Sequence, residues 1–129
     1  YTKIVLIEAR TMVGMARKDI LPAVSKYTQS LADTLALKKQ TGVSATYEKA
    51  NLDEISSYLD KAYVALKDLE AKVKTLEETE DFEKAANYVR DAILPAMSTL
   101  RKPCDKLETL VSAEVWPFPT YGKLLFGII

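Results

Sequence analysis

Histidine is absent from the 129 residues. With it go Ser-His and Cys-His nucleophile pairs, imidazole general bases and the Glu-x-x-His ligands of di-iron helical bundles. Cysteine occurs once, as Cys104, which excludes an internal disulfide and a cysteine-built metal site; a reducing, cytoplasmic compartment is the expectation. Charge of either sign is missing in excess: 18 basic residues balance 18 acidic ones. Phosphate-backbone binding needs a positive surplus, so no nucleic-acid partner is expected. No apolar run reaches the roughly 18 residues that cross a membrane, so no membrane partner is expected either. The opening Tyr1-Thr2-Lys3-Ile4-Val5-Leu6-Ile7 has no initiator Met and too short an apolar stretch for a signal peptide. It reads as a cut, and the chain as a fragment of a larger protein.

Glycine and proline, at 4 and 5 residues, are also few, while 48% of the chain is hydrophobic and 28% charged. That is the composition of an ordinary globular domain, and the length fits one core. Val5, Ala9, Met12, Ala16, Ile20, Val24, Tyr27, Leu31 and Leu35 recur in steps of three and four, predicting a long first helix over about 2–40. Lys38 and Lys39 suit its negative C-terminal end, and Gly42 can take the left-handed closing conformation. Leu52, Ile55, Leu59, Ala62, Leu66, Leu69, Val73 and Leu76 keep a strict heptad through a second helix, about 46–78, with Ser44 or Thr46 as its cap. Thr79 can cap a third, about 80–113, whose buried stripe reads Phe82, Ala86, Val89, Ile93, Met97, Leu100, Cys104, Leu107 and Val111.

Short turns between rods of roughly 45 Å force neighbours to run in opposite directions. The fold class expected is therefore all-α, an antiparallel three-helix bundle of long helices over 1–114 with an extended aromatic C-terminal tail over 115–129. Arg17 to Val24 and Arg90 to Met97 share Ile-Leu-Pro-Ala. Pro22 and Pro95 are expected to sit level and bend their helices alike, with Pro103 adding a second bend.

The tail changes character: Trp116, Phe118, Tyr121 and Phe126 stand among Pro117, Pro119 and Gly122. Two prolines favour extended backbone, so this segment should lie along a surface and insert its rings as anchors. The candidate contact residues are Trp116, Pro117, Phe118, Pro119, Tyr121, Leu124, Leu125 and Phe126. At the other end Ile4-Val5-Leu6-Ile7 is apolar on every helical face, more than one seam needs, and is expected to meet a neighbouring domain or tail.

The string Trp116-Pro117-Phe118-Pro119-Thr120-Tyr121-Gly122, followed by Leu124-Leu125-Phe126, resembles the carboxyl-terminal signature of type III glutamine synthetases. Ala9 to Met12, Ile20 to Ala23, Tyr88 to Asp91 and Pro95 to Met97 resemble the helical domain that closes those enzymes; Lys123 departs from the acidic or polar residue expected there. The resemblance implies a large cytoplasmic bacterial parent that joins ammonia to glutamate with ATP and magnesium or manganese, built as a dodecamer of rings. It places the catalytic residues upstream of this chain. No catalytic, cofactor-binding or metal-binding residue is therefore expected here, and the partners implied are the parent's catalytic domain and neighbouring subunits. The function implied is a non-catalytic structural and interaction domain; the alternative is a free-standing helical adaptor that binds a peptide or protein.

The remaining constellations have plainer accounts. Glu77, Glu78, Glu80, Asp81 and Glu83 lack calcium-loop spacing and suit a helix N-terminus. Cys104 lies on an apolar stripe and reads as a buried structural thiol. Tyr47, Tyr58, Tyr63 and Tyr88 could line a ligand groove but fit the edge of a helical seam. Arg17 and Arg90 are candidates for an anion or for ion pairs with Asp19, Asp91 or a neighbouring subunit.

Overall fold

The computed structural model of the chain describes residues 1–118. It is all-α, with no strand among the described residues. The first rod comprises α1, Thr2–Met15, a π turn, Ala16–Ile20, and α2, Leu21–Thr41. The second is a single helix, α3, Thr46–Glu77. The third comprises α4, Phe82–Tyr88, a second π turn, Val89–Ile93, and α5, Leu94–Leu110.

Both π turns end at the same local problem. Each is followed by Leu-Pro, Leu21-Pro22 and Leu94-Pro95, and a proline ring clashes with the carbonyl four residues earlier while offering no amide of its own. Widening the preceding turn moves that carbonyl aside and lets the rod continue. Pro103 lies inside α5 and is buried there, and the helix runs on to Leu110.

The rod ends show their chemistry. Gly42 takes φ 73°, the left-handed closing conformation, with Lys38 and Lys39 in the last turn of α2. Val43 N–H donates to the Lys38 carbonyl at 2.9 Å and Gly42 N–H to the Lys39 carbonyl at 3.4 Å, so two carbonyls of the helix end are satisfied. At α3 neither expected cap serves: Ala45 holds the cap position with no side-chain bond, and the Ser44 and Thr46 hydroxyls lie 3.3 Å from each other. The expected Thr79 cap is likewise corrected. Thr79 Oγ1 donates to the Thr75 carbonyl at 2.7 Å and belongs to the end of α3. Asp81 caps α4 instead, accepting from Glu83 N–H at 2.9 Å. The third helix consequently starts two residues later than 80 and ends at Leu110 rather than 113, where Val111 turns extended.

The core is one cluster from all three rods, with Val24, Ile55, Leu66, Leu69, Val89 and Leu100 among its fully buried members. Ile55, Ala62, Leu66, Leu69, Val73 and Leu76 form the seam of α3 as its heptad requires, with Leu52 and Leu59 partly buried beside them. Phe82 is a correction: it is 83% exposed, and Ala85 is buried in that first turn instead. Three ion pairs tie the first rod to α3, Arg10 with Glu77, Arg17 with Glu70 and Lys38 with Glu48. As numbers rise along one rod they fall along the other. α3 also packs along α5, and the first rod reaches the third where α1 meets the second π turn and α5.

Candidate functional site

After α5 the chain makes a tight turn at Ser112. Ser112 accepts through its carbonyl from Val115 N–H at 3.0 Å and Trp116 N–H at 3.1 Å, and its hydroxyl accepts from Glu114 N–H at 3.3 Å. This turn points Trp116 inward, where it is 7% exposed and part of the core cluster, with Val115 and Phe118 packed against it. Pro117 between them is exposed. Of the tail residues singled out above, Trp116, Pro117 and Phe118 are therefore placed. Pro119, Tyr121, Leu124, Leu125 and Phe126, with Lys123, lie outside the described residues.

A cleft of about 350 Å³ opens between α1 and α5. Ile7, Met12 and Met15 line it from α1, Leu100 and Cys104 from α5, and the first π turn adds Ala16 and Ile20. Glu8, Arg101 and Asp105 bring the charge. Sequence reasoning did not assemble this cleft, but its warning sign was there: the unbroken apolar run at the start. That run leaves Ile4 61% and Ile7 62% exposed while Val5 is buried, as four consecutive apolar residues on a helix must.

Cys104 is buried at the cleft wall, and burial, with a smaller push from Asp105, raises its thiol to about 11. It is protonated near neutral pH and is a poor nucleophile. Arg17 does not pair with Asp19 or Asp91; it forks onto Glu70, Nε to Oε2 at 2.5 Å and Nη2 to Oε1 at 2.6 Å. That hydrogen bonding lowers the Glu70 carboxyl and raises the guanidinium. Arg90 pairs with its neighbour Asp91, holding that carboxyl down in the same way. Lys38 Nζ lies 2.6 Å from Glu48 Oε2, so the buried Glu48 carboxyl is also lowered.

The four tyrosines serve separate surroundings. Tyr58 lies under Lys61 and Tyr63 under Lys67, ammonium to ring centre 5.0 and 5.8 Å; Tyr47 is exposed, and Tyr88 packs on the core. Glu77 is taken by Arg10, and Asp81 by its cap. Among the described residues no group of three or more His, Cys, Asp or Glu side chains is gathered as metal ligands would be. No described helix is long and apolar enough to cross a membrane.

Residues 1–39 match the family model described as glutamine synthetase C-terminal domain. The relatives are specific. Over 98% of its length the chain is 29% identical to the glutamine synthetase of Bacteroides fragilis (strain YCH46). Over 99% it is 29% identical to that of Butyrivibrio fibrisolvens, and over 98% it is 24% identical to the type-3 glutamine synthetase of Dictyostelium discoideum. It spans 18%, 19% and 18% of those three proteins, about a fifth of each. Similarity to glutamine synthetases, type 3 included, therefore extends along nearly the whole chain.

Proposed function

We propose that the chain is a non-catalytic structural and interaction domain of a type III glutamine synthetase. Residues 1–114 are read as an antiparallel three-helix bundle and 115–129 as a docked aromatic tail, together a piece of a longer, cytoplasmic, oligomeric protein. The descending order of the Arg10, Arg17 and Lys38 ion pairs along α3 supports the antiparallel reading. The observation that carries the contact role is Trp116, a ring beyond the last helix that lies in the core. Burying such a ring contributes on the order of 1.5–3 kcal/mol, enough to hold the root of the tail in place.

In this reading the parent forms glutamine from glutamate and ammonia with ATP hydrolysis, and ATP with magnesium or manganese belongs to its catalytic domain. The bundle contacts that domain and neighbouring subunits, in an assembly proposed to be a dodecamer. A free-standing adaptor has less behind it, since similarity along nearly the whole chain is to proteins about five times longer.

The test is Trp116→Ala with Phe118→Ala in the full-length protein, followed by sedimentation and by ATP-dependent glutamine formation. The expected outcome is a loss of the assembled species, with activity falling alongside it. Unchanged assembly and activity would overturn the role.

A further inference from the structure

The α1–α5 cleft continues past its own walls. A second hollow of about 250 Å³, lined by Met12, Leu94, Met97, Ser98 and Arg101, shares Met12 and Arg101 with it. The two make one groove, and all three methionines of the chain, Met12, Met15 and Met97, line it. We propose that this groove receives a basic amphipathic helix of a protein partner, the methionines against its apolar stripe and Glu8 and Asp105 against its cations. The proposal rests on the interaction role above and gives that role a surface and a partner.

Three observations choose this occupant over another. The first is composition. Methionine is unbranched and polarizable and repacks around irregular apolar side chains, which suits it to surfaces that bind helices. Met12 and Met97 are half-buried and Met15 is exposed, so the groove is anchored from below and open above. The second is length. From Ile7 to Ile20 the α1 side of the cleft runs about 20 Å, the length of about two heptads of a partner helix. The third is charge. Glu8 forms no ion pair among the described residues. Asp105 meets Arg101 only at 3.7 Å, with both side chains largely exposed. Two carboxylates against one guanidinium leave the rim negative, so a helix with Lys or Arg beside its apolar stripe is favoured over an acidic one.

The test is fluorescence anisotropy of a labelled two-heptad helical peptide of leucine and lysine, beside a leucine–glutamate counterpart of the same pattern, titrated with the 129-residue chain. The leucine–lysine peptide is expected to bind saturably, at least about tenfold tighter than its counterpart. Ile7→Ser with Met15→Ser should weaken that binding at least about tenfold. Both side chains are exposed, so helix content by circular dichroism should not change. Glu8→Gln with Asp105→Asn should remove the preference for lysine, and this variant decides alone if the serine pair loses helix. Leu37→Ser with Tyr47→Ser, exposed apolar residues that line neither hollow, should change nothing. No saturable binding, equal binding of the two peptides, or an equal loss in the Leu37 and Tyr47 variant would overturn the proposal. So would a dimer of the chain that Ile7→Ser with Met15→Ser dissociates, since a second copy would then fill the groove. A failure here with assembly still lost in the Trp116 and Phe118 variant would leave the interaction role standing and remove only this partner.

Discussion

Asp81 and Thr79 sit two residues apart with opposite duties. Asp81 accepts the first amides of α4, whereas Thr79 bonds backward into α3. Asp81→Ala should lower stability by about 1 kcal/mol, the usual worth of an N-cap, and Thr79→Ala by less than about 0.5 kcal/mol. Urea midpoints of the two variants check the difference. Glu70 makes a second residue-scale prediction. Its carboxyl is lowered chiefly by the hydrogen bond from Arg17. A group that titrates lower when folded favours folding above its unfolded value of about 4.3, and the contribution fades as pH drops toward the folded value. Glu70→Gln should therefore be less stable than the parent chain near neutral pH. The gap should shrink as pH falls below about 4, as read by thermal midpoints across an acid series.

The helices themselves show what an apolar stripe can and cannot specify. Leu66 and Phe82 were both assigned to buried stripes, yet one is fully buried and the other 83% exposed. Leu66→Ala should cost about 2–5 kcal/mol, and Phe82→Ala less than about 0.5 kcal/mol, measured by urea denaturation. The heptad of α3 was legible because α3 packs along both other rods, which bury six of its eight members. Phe82 was not, because a first-turn residue just past its cap has little packed above it. The π turns were missed although the sequence carries a trace of them. Met12, Ala16, Ile20 and Val24 follow in steps of four, as do Ala85, Val89 and Ile93. Each step of four overshoots an α-helical face by about 40°, so a sustained run of them just before Leu-Pro marks a turn wider than usual. At the candidate site, the burial of Trp116 followed from composition, since a large ring just before a proline, beyond the last helix, needs cover. The cleft between α1 and α5 did not, because it depends on where two distant helices meet.

On the scale of the whole molecule, the ion pairs between the first rod and α3 differ widely in how much chain they enclose. Lys38 and Glu48 are 10 residues apart, Arg17 and Glu70 53, Arg10 and Glu77 67. Closing a loop costs about 0.6 kcal/mol more for each doubling of its length, so the end nearest Gly42 is the cheapest to form and the far end of α1 the last to gain support. The same order is expected in the folding kinetics. Ile55→Val, in the half of α3 nearest that turn, should slow folding, while Val5→Ala should act mainly by speeding unfolding. Stopped-flow folding and unfolding rates distinguish the two. On a ribosome the same asymmetry has a direction: the turn at Gly42 and the first half of α3 emerge while the third rod is still unmade, so folding can begin from the middle of the chain before its tail has been synthesised.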